Sequence, residues 1–190
     1  NTQENIAITP NKPFKWGMQE IIELCETNFV MFMQLDFLLL PGTNTEILDK
    51  AFDLLNEKEY DFFRVAYATD RELIKINEDF VEIDPYFEWF CNWLPTFWHK
   101  DRLKDFLSRT NAIDINQEDL YSIELREMGY KGFTISAKHR EAKGRPGCKV
   151  MPHICTALNG GKWTRIWQVE IKELLANYKI EIKDRGWNDE

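Results

Sequence analysis

The sequence predicts an α/β domain, strands alternating with helices, and three observations carry the prediction. Short β-prone runs alternate with amphipathic stretches of helical spacing, the order that builds strand–helix–strand units. One run, Phe29 to Gln34 (FVMFMQ), is apolar without alternation, which suits a central strand covered on both faces. A chain of 190 residues that is 44% apolar can bury one good core, so a single domain over residues 1–190 is expected.

Asn5 to Thr9 (NIAIT) alternates and stops at Pro10, a short strand. Lys15 to Cys25 then sets Trp16, Ile21, Leu24 and Cys25 at helical spacing and predicts a helix. With Phe29 to Gln34 next, the order strand, helix, strand is a βαβ signature. Thr43 followed three residues later by Glu46 has the form of a capping box. Ile47, Leu48, Ala51, Leu54 and Leu55 continue one apolar face, so residues 44–57 are read as a helix. Tyr60 to Tyr67 (YDFFRVAY) returns as a strand. After an irregular aromatic segment, His99 to Arg109 and Gln117 to Met128 read as helices, with Gly129 ending the second as its C-cap. Tyr130 to Ser136 follows as a strand. Residues 138–149 (KHREAKGRPGCK) are basic, contain Gly and Pro and lack periodicity, which predicts a mobile loop. Val169 to Tyr178 is a last helix, and Lys179 to Glu190 a peripheral tail.

Charge and cysteine usage narrow the function classes. The chain carries 24 Lys and Arg against 32 Asp and Glu, a net charge of −8. That balance argues against a protein held mainly on nucleic-acid phosphates or an anionic membrane, and no helix has a basic face. No apolar run reaches the roughly 18–20 residues of a spanning helix, so no transmembrane segment is expected. The first residues carry no signal-peptide pattern. Four scattered cysteines without a CxxC pair fit isolated thiols in a reducing compartment, and the expected location is cytoplasmic. Seven tryptophans, several between Trp89 and Trp98, serve either as core or as platforms for sugar rings.

Two places could carry chemistry. Gln34-Leu35-Asp36 ends the apolar run, and a carboxylate where a central strand leaves an α/β sheet lies in the crevice where ligands bind. Asp36 is thus a candidate ligand for Mg²⁺ or Mn²⁺ carrying a diphosphate. An aspartate at such a position is also commonly a helix cap or turn residue. Gln117-Glu118-Asp119 opens a helix whose apolar residues are Leu120, Ile123 and Leu125. Acidic residues in a first turn satisfy the helix dipole. Beside a pocket, such a carboxylate can also take the proton from an attacking hydroxyl. Arg64, flanked by apolar residues in YDFFRVAY, either pairs with an internal carboxylate or binds a diphosphate or sugar. Trp89, Trp93 and Trp98 are candidates for stacking on sugar faces, one or two of them at the site.

In this order, FVMFMQLDFLLL, then FWHKDRL, then QEDLYSIELREMGYKGF, the sequence resembles the GT-A fold glycosyltransferases that depend on nucleotide sugars. These carry an Asp-x-Asp-type motif after a hydrophobic strand and, farther on, an x-Glu-Asp motif followed by a helix ending in Gly-Tyr. The resemblance covers about Asn5 to Trp163. It implies a GT-A type mixed sheet, a nucleoside-diphosphate sugar as donor, and transfer to a hydroxyl of a glycan or lipid-linked acceptor. It further implies Asp119 as catalytic base, Glu118 beside the donor or acceptor sugar, and Asp36 as the metal-binding aspartate. A third metal ligand in such enzymes is often a histidine downstream of the base. His153 in MPHICTALNGGKW is preferred over His139 in the basic loop, with Lys162 as a cation for the diphosphate and residues 138–149 as a lid. Arg64, Lys162 and Trp98 make up the expected donor-contacting set.

The sequence departs from the family at two points. Gln34 stands where the first acid of Asp-x-Asp is expected, and an uncharged amide oxygen is a poorer ligand for Mn²⁺ or Mg²⁺, which leaves metal affinity weak or metal dispensable. Family members also place two or more βα units before the matching segment. The expectation is therefore either a fragment of a larger catalytic domain or an unusually small one. A catalytically inactive carbohydrate- or nucleotide-binding module of the same fold is the alternative.

Overall fold

The computed structural model describes residues 13–34, 37–57, 59–65, 74–87, 90–139, 148–154, 157–159, 161–179 and 186–188. It is a mixed α/β structure. The expected strand Asn5 to Thr9 lies outside the described residues, so the βαβ reading of the first segment rests on sequence alone.

The first helix, α1, spans Phe14–Leu24 and buries Gly17, Met18 and Ile22, the i, i+1, i+5 set of one helical face. Its start is tied down from outside, because the Lys15 ammonium donates to the Thr110 carbonyl and Lys15 N–H to that of Ile113. Strand β1 (Phe29–Phe32) and the two-residue β2 (Leu38–Leu39) follow. Helix α2 (Thr45–Asn56) begins one residue later than a Thr43 cap would place it. Asn44 is the N-cap, its side-chain oxygen accepting from Ile47 N–H at 3.2 Å, while Glu46 pairs with Lys50 at 3.0 Å. The short amide of Asn44 reaches the third helical N–H directly, which leaves Glu46 free to face its i+4 neighbour.

The central sheet has the order β1-β5-β3-β6-β4, with β3 at Phe62–Arg64, β4 at Phe80–Glu82, β5 at Thr96–His99 and β6 at Gly132–Ile135. β3 and β6 run parallel, and the other neighbouring pairs run antiparallel. Two strands, β4 and β5, arise inside the aromatic segment that sequence patterning left irregular. β1 is an edge strand among the described residues, not the central strand its unbroken apolar run predicts. Its residues are half-buried or exposed, since one side pairs with β5 and the apolar side chains line a cleft.

Period-two alternation sends successive side chains to opposite faces of this sheet. On one face Phe62 and Trp98 meet Ile22 of α1, Phe106 of α3 (Lys100–Arg109), and Tyr121 and Leu125 of α4 (Glu118–Glu127). On the other, Phe63, Phe133 and Ile135 pack under Ala51 and Leu55 of α2. Arg64, two residues after Phe62, returns to the α4 side. Gly132 is required at its position because a Cβ there would lie 2.1 Å from the Phe62 ring. Helix α4 closes as expected at Gly129, whose φ of +75° is left-handed. Tyr130 N–H bonds the Leu125 carbonyl and Gly129 N–H that of Arg126, the paired bonds of a Schellman ending.

The later part of the chain forms a smaller layer. β7 (His153–Ile154) pairs antiparallel with β2, and β8 (Leu158–Asn159) with β9 (Lys162–Thr164). Helix α5 (Gln168–Asn177) covers Ile154, Ala157 and Trp167 through Ile171 and Leu175. In the tail expected to be peripheral, Trp187–Asn188 forms β10, which pairs parallel with β9 and sets Trp187 beside this core. No helix among the described residues is long and apolar enough to cross a membrane.

Candidate functional site

A cleft of about 1110 Å³ runs between α1 and β1 and ends at the first residue of α4. Phe14 at the start of α1 lies 5.7 Å from Phe32 at the end of β1, so helix and strand run in opposite directions along its walls. Gln34, Asn116 and Glu118 stand at the Phe14–Phe32 end. Gln34 at the end of FVMFMQ and Glu118 near the start of QEDLYS, 84 residues apart in the chain, therefore reach one cavity.

Glu118 is placed by α4 itself. Glu118 and Ser122 are one turn apart, and both hold the segment 91–93: Glu118 accepts Trp93 N–H at 3.1 Å, while Ser122 Oγ accepts Cys91 N–H at 2.8 Å and donates to the Cys91 carbonyl. Asp119, rotated about 100° around the helix, is exposed and does not line the cleft. Of the acidic pair, the structure thus puts Glu118 on the cavity wall.

Behind Glu118 lies Arg64, 1% exposed, its guanidinium donating to the Phe90 carbonyl. Burial pulls this guanidinium down to about 10, against the opposing pull of Cys91 and Glu118. It remains a cation at neutral pH and provides a positive field at the back of the Glu118 carboxylate. Arg64 does not line the cleft among the described residues, and its guanidinium holds the Phe90 carbonyl. Burial also pushes the Cys91 thiol up to about 12, which makes it a packed, protonated group and not a nucleophile.

The backbone carbonyl of Gln34, two residues before Asp36, accepts Phe37 N–H at 3.1 Å, and Asp36 itself lies outside the described residues. Phe37 is buried, with its ring 6.0 Å from that of His153. β2 and β7 pair Leu39 with His153, so the sequence-predicted metal histidine stands beside the strand that leaves the Gln34–Asp36 segment. His153 is 2% exposed and donates from Nδ1 to the Met151 carbonyl at 2.7 Å. Its Nε2 has no hydrogen-bond partner among the described residues. Burial lowers its basicity, partly offset by the Met151 carbonyl, so the ring stays neutral with a bare Nε2 lone pair. A backbone carbonyl on Nδ1 and a free Nε2 is the donor arrangement of a metal-ligating histidine. His153 fits a divalent cation, whereas Gln34 offers only an amide oxygen. Among the described residues no three His, Cys, Asp or Glu side chains converge as a metal site.

The other expected contacts fall elsewhere. Trp98 is a core residue, 2% exposed and packed against Phe62 and Phe106, so no ring face is left for a sugar. Trp93 is 1% exposed and touches Phe14 and Phe32 behind the cleft wall, and Trp89 lies outside the described residues. Lys162 is exposed on β9, in the smaller layer. Of the basic loop, residues 140–147 lie outside the description, but its base is anchored. Lys138 and His139 both reach Asp79 Oδ1, at 2.6 and 2.9 Å, and Lys149 N–H bonds the His139 carbonyl. Asp79 is buried; burial alone would raise its carboxyl, but bonds from Lys138 and His139 bring it down to about 2.

Two supporting residues escaped sequence reading. Asp79 lies in polar INED, where nothing marks it from its neighbours. Glu124 left a signal, since it occupies a position three residues after Tyr121 on the buried stripe of α4. Its carboxylate accepts from the Thr110 hydroxyl, from Asn111 N–H at 3.0 Å and from the Asn111 side-chain amide at 2.8 Å. Together with Gln117 Oε1, which accepts from Ile113 and Asp114 N–H, it fixes the loop that presents Asn116 to the cleft.

No protein-family model matches the chain, and no curated protein matches it.

Proposed function

We propose that the chain transfers a sugar from a nucleoside-diphosphate donor to the hydroxyl of an acceptor, with Glu118 as the base. One observation carries the reading: the Gln34 and Glu118 segments, the two motif regions on which the sequence resembles GT-A glycosyltransferases, meet in a single cleft. The acceptor oxygen attacks the anomeric carbon and its proton passes to the carboxylate of Glu118. The bond from that carbon to the diphosphate oxygen breaks, and its electron pair leaves with the phosphate. Asp119, exposed one residue on, is the alternative base. His153 would hold a Mn²⁺ or Mg²⁺ ion, with Asp36 and Gln34 as the remaining proposed ligands, and the ion would neutralise the leaving diphosphate.

Calorimetric titration with uridine and guanosine diphosphates, with and without Mn²⁺, tests the donor half. Metal-dependent binding that His153→Ala removes is expected. Absence of binding to either nucleotide, under both conditions, would sink the transfer reading in favour of recognition without catalysis.

A further inference from the structure

The cleft between α1 and β1 is unevenly furnished. Its walls are aliphatic, aromatic and thioether side chains along the whole of α1, a length of about 16 Å for a helix of this size. At the far end the polar hydrogens are already committed: Cys25 Sγ–H donates to the Ile21 carbonyl and the Thr27 hydroxyl to that of Phe29. Gln34, Asn116 and Glu118 at the near end supply the polar groups. The described lining contains one charged side chain, the Glu118 carboxylate, and no Lys, Arg or His.

We infer that this cleft binds a neutral amphiphile: an apolar chain lying along α1 and β1, and a hydroxyl-bearing head at Glu118. The inference rests on the proposed transfer reaction only in naming that molecule the acceptor, whose head hydroxyl would lose its proton to Glu118 as its oxygen takes the sugar. The charge pattern selects the ligand. A phosphate or carboxylate head would be brought out of water beside Glu118 with no cation in the described lining to receive it, a like-charge contact in a partly desolvated site. A neutral head can donate to the carboxylate and accept from the Asn116 or Gln34 amide.

The test uses n-octyl glucoside, octyl phosphate and free glucose as probes, each below micelle-forming concentration, titrated calorimetrically into the whole chain. Saturable binding of octyl glucoside is expected, at least about tenfold tighter than octyl phosphate and than glucose. Ile21→Glu places a charge in the apolar wall at a half-buried residue of α1 and should weaken octyl glucoside by about tenfold. Octyl phosphate binding as tightly as the glucoside, no binding of the glucoside, or binding unaffected by Ile21→Glu would each overturn the inference. The two readings fail separately. A chain that binds octyl glucoside but turns over no nucleotide sugar keeps this cleft and loses the reaction, and one that transfers sugar while ignoring the glucoside keeps the reaction and loses the amphiphile.

Discussion

The two ends of α4 put the same side chain to opposite uses. Glu124, in the last turns, is 6% exposed and saturated: a hydroxyl, a backbone N–H and a side-chain amide all donate to it. Burial alone would raise its carboxyl, yet these donors hold it below the ordinary carboxylate value. Glu118, at the first turn, is half-buried, takes one backbone N–H and stands on the wall of a cleft. A carboxylate whose acceptor sites are filled by its own fold has none left for a substrate hydroxyl. One that keeps acceptor capacity next to a cavity can take part in chemistry. On this contrast Glu124 belongs to the architecture of the cleft, and Glu118 is the carboxylate free to act as the proposed base.

The largest expected effect breaks the architectural end. Glu124→Ala strips the buried Thr110 hydroxyl and two Asn111 donors of their acceptor and should cost about 2 kcal/mol of unfolding free energy, read from urea denaturation. A loss under about 1 kcal/mol would mean that the 110–117 loop is held by other contacts. The opposite signature is expected at the other end. Glu118→Gln should lower sugar transfer by about a hundredfold or more while changing stability by less than about 1 kcal/mol. Equal losses of stability from both substitutions would erase the distinction.

Acid offers a third way to sharpen it. Asp79, saturated like Glu124, has a carboxyl depressed from 3.8 to about 2. A depressed carboxyl binds its proton in the unfolded chain first, so its contribution is present above pH 3.8 and is lost as pH falls towards about 2. Urea midpoints followed from pH 6 to pH 2 should fall across that window. Asp79→Asn should be less stable at neutral pH and show a shallower acid slope; an unchanged slope would remove Asp79 from the acid transition. The smallest effect is expected at Asp119. Asp119→Asn, at an exposed position, should leave stability within about 0.5 kcal/mol, and transfer should survive in it. Loss of transfer there, with Glu118→Gln active, would move the base by one residue.

The positions of the five α-helices among the described residues were legible because each carries an apolar stripe or a capping residue that depends only on near neighbours along the chain. Gly129 is the clearest case: a helix ending in Met-Gly-Tyr needs a left-handed residue whatever packs around it. The strands were harder. β4 and β5 are short pieces inside an aromatic segment, and their pairing is set by partners 32 to 70 residues away. The apolar run Phe29 to Gln34 reads the same whether its residues face a core or a cleft, because both demand apolar side chains. Trp98 was similarly ambiguous, since a ring that stacks on a sugar and a ring that stacks on Phe106 have one composition.

The sequence by itself determined that helices and strands alternate, that α4 opens with two carboxylates, and that His153 and the Gln34–Asp36 segment are chemically able residues. Only the tertiary structure decided which of the two carboxylates meets a cavity, that β1 is an edge strand among the described residues, and that His153 stands beside the strand leaving Gln34. The reason is physical. Local propensity and capping act over a few residues, whereas the direction of a side chain depends on which face of its helix or strand the rest of the chain covers.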